Sequence, residues 1–167
     1  MHNVRRYLKK GNIYFLTHVT YLRNPILVEH IDLLWEAIEK QRTKNDFDLI
    51  AWVIIPDHMH VLIDPMSNDL PILTKNIKLS FAANLRSRLG LQAGRTWQNR
   101  YWDHVIRDRT DLNNHIDYIH YNPVKHRLVP RPGDYRQTSF HDFLKRGEYD
   151  EEWGCHNAPD FGGGFGE

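Results

Sequence analysis

The chain has 167 residues, 41% hydrophobic and 26% charged, with a formal net charge of +1. That length carries one domain with a real core, and the composition is ordinary for a soluble globular protein. No apolar run reaches membrane-spanning length, the opening Met1-His2-Asn3-Val4-Arg5-Arg6 lacks a secretory signal's apolar core, and the single Cys155 excludes a disulfide framework or a cysteine metal cluster. A cytoplasmic setting, without membrane contact, is the expectation.

The small net charge hides an asymmetry. Residues 65–147 hold 14 Lys/Arg against 7 Asp/Glu, a balance of +7, whereas residues 148–167 hold 6 acids and no Lys or Arg, a balance of −6. A basic body with an acidic end points to a polyanionic partner and to a tail that shields the binding surface.

Taken in order, residues 1–12 are basic through Arg5, Arg6, Lys9 and Lys10. Ile13–Thr20, rich in β-branched and aromatic residues, reads as the first strand. Ile31, Leu34, Trp35 and Ile38 fall at helical spacing and predict a helix from about Ile26 to Lys44. A strand pair follows, Phe47–Ile55 and His58–Ile63, turning tightly at Pro56-Asp57. Ser67-Asn68-Asp69 supplies a helix N-cap, Pro71 suits the first turn, and Leu73, Ile77, Phe81, Leu85 and Leu89 form a stripe ending at Gly90. Lys75, Lys78, Arg86 and Arg88 lie on its other faces, as a solvated surface or as phosphate contacts. Trp97 opens a fourth strand running to Ile106, where aromatics interleave with Arg100 and amides; such a mixture packs a core or stacks on unpaired bases. Thr110 or Asp111 caps the next helix. After Pro130 the chain reads as irregular, and Phe161–Glu167 as a frayed end.

Two features carry chemistry. His58 and His60, two apart on a strand, point the same way, with Met59 turned towards the core. Two imidazoles side by side are half of a metal site, or simply a pair of strand histidines. In the helix after Thr110, Leu112, Ile116 and Ile119 form a core stripe, and His115, Tyr118 and Asn122 share a neighbouring face. Pro123 disfavours helical geometry at Asn122, so the helix is expected to end there, where its partial negative charge favours a cation and the Asn122 amide oxygen is a third ligand. A tyrosine one turn before a ligand can be a nucleophile. Its phenol, with a reference pKa of about 10, then needs a strongly polarised electrophile such as a metal-bound phosphate.

Together these stretches resemble the REP-associated tyrosine transposases, single-tyrosine members of the HUH endonucleases. The matching residues are Tyr14-Phe15-Leu16-Thr17, Pro56-Asp57-His58-Met59-His60-Val61-Leu62, Trp97-Gln98 with Tyr101, Ile106-Arg107, Tyr118-Ile119-His120-Tyr121-Asn122-Pro123-Val124-Lys125 with Leu128-Val129, and Ser139-Phe140-His141 with Trp153. The resemblance implies an α+β fold, an antiparallel central sheet with helices packed on it in the ferredoxin-like manner. It implies one catalytic domain over residues 1–153 and a flexible acidic tail over 154–167. It makes His58, His60 and Asn122 the ligands of a divalent metal, Mg2+ or Mn2+, and Tyr118 the nucleophile. It implies a 5′-phosphotyrosine intermediate with a free 3′-hydroxyl, formed on single-stranded or hairpin DNA of the repetitive extragenic palindrome type, by a monomer or homodimer used at the nucleoid. Arg5, Arg6, Arg100, Arg107 and Lys125 are the expected DNA contacts. Arg127 departs from the family, which often has Gly there; if that position needs a positive φ, arginine is costly. Two other readings stay open: a hairpin-binding protein that does not cleave, and a water-activating phosphoesterase built on His58 and His60. For the second, Asp57 and Asp64 are the only nearby acids and both read as turn residues.

Overall fold

Two apolar runs of opposite direction, joined by Pro56-Asp57, set the centre of the molecule. The protein is a computed structural model that describes residues 12–161 and residue 165. Strands β1 (Tyr14–Val19), β2 (Asp48–Ile54), β3 (His58–Asp64) and β4 (Trp102–Val105) form one antiparallel sheet in the order β2-β3-β1-β4. Helices α1 (Ile31–Arg42) and α2 (Leu70–Leu89) complete a β-α-β-β-α-β order, the ferredoxin-like arrangement. Helices α3 (Arg109–Lys125) and α4 (Phe140–Lys145) follow.

The period of two along the strands divides the core into two layers. Leu16, Met59, Val61 and Ile63 meet α1 and α2 on one face. Ile13, Phe15 and Leu62 meet Leu112, Ile116 and Ile119 of α3 on the other. His58 and His60 are in phase with Leu62 and so lie on the α3 side. Each of these fully buried aliphatic chains is worth roughly 1.5–3 kcal/mol against exposure, so the sheet register, and with it the histidines' facing, is strongly held.

Several boundaries differ from the sequence expectation, for identifiable reasons. α1 begins at Ile31 rather than Ile26, because the Leu27 N–H bonds the Pro56 carbonyl and the Ile26 N–H bonds Asn24, outside any helix. α2 starts and stops as expected: the Asp69 carboxylate accepts from the Ile72 N–H at 2.9 Å, and Gly90 closes the helix at φ +66°. The fourth strand is shorter than Trp97–Ile106. Trp97 makes only an isolated bridge to Thr20, and its buried indole donates to the Lys78 carbonyl, so it is a core residue.

α3 is capped by Asp108, whose carboxylate accepts from the Asp111 N–H, and not by Thr110 or Asp111. It also continues through Pro123 to Lys125 instead of ending at Asn122. The proline forfeits its own N–H, but the next turn closes through bonds from His126 to Asn122 at 3.0 Å, Arg127 to Val124 at 2.9 Å and Leu128 to Pro123 at 2.9 Å. Beyond Pro130 the chain is more ordered than expected. Residues Gln137 and Ser139 bond Ile54 and Trp52, sealing the outer edge of β2, and α4 packs Phe140 and Phe143 beneath Tyr149.

Candidate active site

The sheet brings His58 and His60 together with their rings edge to face, centroids 4.9 Å apart. Both are almost fully buried. Each has its Nδ1 held by a neighbour from the same sheet region. His58 Nδ1 donates to the Asp57 carboxylate at 2.8 Å, and His60 Nδ1 lies 2.8 Å from the hydroxyl of Thr17, its register partner on β1. Asp57 also takes Arg23 at 3.0 Å. Burial works to raise that carboxyl, but the bonds from His58 and Arg23 outweigh it and leave it below the usual carboxylate range. Asp57 is thus more than a turn residue: it fixes the ring of His58. Phe15 stacks on His60 at 5.4 Å, and His126, just past α3, meets His58 at 4.9 Å.

α3 supplies the rest. Its Leu112, Ile116 and Ile119 stripe locks the helix to the sheet, and the adjacent stripe of His115, Tyr118 and Asn122 is buried against it. The Tyr118 ring stands 5.3 Å from that of His60. Its phenol oxygen accepts a hydrogen bond from Lys125 Nζ at 3.0 Å, and the same ammonium lies 4.7 Å from the ring centroid. Tyr118 is only 2% exposed, and aromatic residues from the chain's end lie against it beside Phe15 and His60. Phe165 stacks on it at 4.0 Å with planes 13° apart, and Phe161 meets it edge-on at 5.5 Å. The expected frayed end therefore contributes two side chains to the site.

Beside the tyrosine lies a group that sequence reasoning did not assemble. His104 on β4, Asp111 and His115 have ligand atoms within 4.8 Å of one another, a second set that could hold a metal ion. Asp111 Oδ2 accepts from His104 Nε2 at 2.8 Å and from the Arg107 backbone and side chain at 3.0 and 3.1 Å. Burial opposes ionisation of Asp111, yet these donors bring it down to about 2. Burial lowers His115, whose Nδ1 donates to the Asp111 carbonyl at 2.7 Å. The i, i+4 spacing of Asp111 and His115 was visible in the sequence; the arrival of His104 from a strand was not.

Of the expected DNA contacts, Arg5 and Arg6 lie outside the described residues. Arg100 is exposed. Arg107 is bound to Asp111 yet 74% exposed in its side chain, and Lys125 is engaged with Tyr118. A second basic surface lies on the opposite face of the sheet. There Lys75, Lys78 and Arg86 of α2 face Trp97, Gln98, Asn99 and Tyr101 across an open cleft of about 370 Å³.

An antiparallel ferredoxin-like sheet presenting paired histidines to a helix-borne tyrosine defines a class, and the sequence comparisons agree with it. Residues 9–122 match the profile of the family described as "Transposase IS200 like". A REP-associated tyrosine transposase of Escherichia coli K12 is 34% identical over 98% of this chain and 97% of its own length. A protein of Haemophilus influenzae Rd named for the same family is 36% identical over 92% and 94%. A solved structure of a REP-associated tyrosine transposase bound to a REP hairpin superposes with a TM-score of 0.79 at 34% identity, covering 99% of this chain and 98% of that one. The chain belongs to the REP-associated tyrosine transposases. Among the described residues, no helix is long and apolar enough to cross a membrane.

Proposed function

We propose that this protein is a metal-dependent endonuclease and strand transferase acting on single-stranded DNA that folds into hairpins of the repetitive palindrome type. The observation that carries the reading is the approach of the Tyr118 ring to His60, 5.3 Å, beside a histidine pair whose Nδ1 atoms are already engaged. The Asp57 carboxylate fixes the tautomer of His58 and leaves its Nε2 as the basic nitrogen, the usual arrangement of a metal-binding histidine, while the Thr17 hydroxyl holds the ring of His60. With the Asn122 amide oxygen, the donor set suits Mn2+, and Mg2+ with water and phosphate oxygens added. His58, His60 and Asn122 would hold that ion, which supplies Lewis-acid polarisation of the scissile phosphate.

Tyr118 Oη attacks phosphorus, its proton passing to solvent. The P–O3′ bond breaks, and O3′ takes a proton from water to leave a free 3′-hydroxyl. The phosphotyrosine keeps the phosphoester for transfer to another 3′-hydroxyl. Phe15 and the α3 core stripe hold the nucleophile's helix against the histidine strand, so the reacting groups meet without rearrangement of the sheet. Exposed cations around the site, Arg107 among them, would neutralise the DNA backbone.

The test is incubation with labelled single-stranded hairpin DNA and Mn2+, followed by a denaturing gel. A protein-linked band is expected from the parent chain and none from Tyr118→Phe, whose hairpin affinity stays within about threefold. A covalent adduct formed by Tyr118→Phe would refute the assignment. A non-cleaving hairpin binder is the second reading, favoured by the aromatic cover on Tyr118; it predicts a gel shift and no adduct from either protein.

A further inference from the structure

We infer that Lys125 is a catalytic residue: its ammonium stabilises the oxygen of Tyr118 as nucleophile when the strand is cut and as leaving group when it is rejoined. The inference rests on Tyr118 being the nucleophile, and it assigns Lys125 a role other than the backbone contact its charge alone suggests.

The geometry is specific. Lys125 Nζ donates to the phenol oxygen at 3.0 Å and sits 4.7 Å from the ring centroid. The two residues are seven apart on α3, two turns on the same face, and helical side chains lean towards the N-terminus, so the lysine reaches back over the asparagine turn to the tyrosine. This reach exists only because the helix runs on past Pro123. Had it ended at Asn122, Lys125 would lie in the exit loop. The bonds of His126, Arg127 and Leu128 to the last carbonyls seal the extra turn. Its closure holds even though Arg127 must adopt φ +58° to make it.

A cationic donor on a phenol oxygen is worth more to the phenolate than to the phenol, since charge-assisted bonds are roughly twice as strong as neutral ones. In cleavage, the proton of Oη goes to solvent, Lys125 holds the resulting oxyanion, Oη–P forms and P–O3′ breaks. In transfer, the acceptor 3′-hydroxyl loses its proton to solvent, O3′–P forms, P–Oη breaks, and the departing phenolate is received by the same ammonium. Lys125 keeps its protons throughout. Cleavage and transfer pass through the same kind of transition state in opposite directions, so losing Lys125 should slow both, and by the same factor where the adduct level is unchanged.

The experiment compares the full-length parent, Lys125→Met and Lys125→Arg on labelled hairpin DNA with Mn2+, following adduct formation and its discharge by an added 3′-hydroxyl strand. Loss of one such donor typically costs on the order of 100-fold. Lys125→Met is therefore expected to slow both steps by about that factor, with the final adduct level unchanged and hairpin affinity within about threefold. Lys125→Arg should recover part of the loss. Replacing Tyr118 with a difluorotyrosine, whose phenol is intrinsically more acidic, should return most of the rate in Lys125→Met and little in the parent. An affinity loss that accounts for the slower rate, or no selective rescue by fluorination, would overturn the inference in favour of a phosphate contact or a packing role. If the parent forms no Tyr118-linked DNA at all, the nucleophile reading falls and this inference with it. A parent adduct with an unimpaired Lys125→Met removes this inference alone.

Discussion

At Arg127 the backbone is left-handed, φ +58°, at the residue that closes α3. A Cβ in that region costs on the order of 1 kcal/mol, which a glycine would not incur. Arg127→Gly should therefore raise stability by about 1 kcal/mol, less the extra entropy a glycine brings to the unfolded chain. Denaturant unfolding reads this as a higher midpoint with an unchanged slope; a lower midpoint would mean the arginine side chain contributes more than its backbone strain removes. The position was legible beforehand because the resembling family often has glycine there. Asp57 was legible only as part of a turn. Its bond to His58 joins sequence neighbours, but the arrival of Arg23 on the same carboxylate crosses 34 residues, and no local pattern carries that.

Among the elements, the period of two in β3 and the apolar stripes of α2 and α3 were readable because each is a local rule with a buried face to enforce it. The errors fell at Leu27, whose amide goes to distant Pro56 instead of a helical carbonyl, and at Pro123, where local bonds of the following turn carry the helix on despite the missing N–H. β1 makes a further prediction through His18, which points to the α1 and α2 side and is 2% exposed. Burial, with Lys78 nearby, brings its pKa from 6.5 down to about 3. A histidine so depressed is neutral in the fold but protonates when unfolded below pH 6.5. The unfolded state then binds more protons, so stability falls as pH drops from 6.5 towards 3. Over pH 6.5 to 4 the loss is roughly 3 kcal/mol at about 1.4 kcal/mol per unit. Asp111, held near 2 in the fold against 3.8, adds a loss only below about pH 4. His18→Leu should flatten the pH dependence of urea unfolding between 6.5 and 4; an unchanged slope there would place the titrating group elsewhere.

The whole molecule sets a basic body against an acidic end, and the end reaches the site by its aromatics. Phe165 lies flat on Tyr118 and is 8% exposed, while Phe161 closes the side. DNA cannot reach a covered phenol, so attack requires these rings to leave. Burial of one phenylalanine is worth about 2 kcal/mol, equivalent to about a 30-fold bias towards the covered form. Phe165→Ala should accordingly raise the rate of adduct formation by up to about 30-fold, and Phe161→Ala by less, since it meets the ring only at an edge. Cutting the chain after Gly147 is a poorer test. It also removes Tyr149, whose hydroxyl donates to Asp117 at 2.6 Å, and Trp153, which packs on Tyr149, and so should destabilise the α3 layer itself. Cutting after Asp160 spares both. If that truncation and Phe165→Ala each leave the rate unchanged at saturating DNA, the cover opens too readily to limit the reaction. If both lower it, the aromatics belong to the working site, for instance as a platform on which an unpaired base stacks.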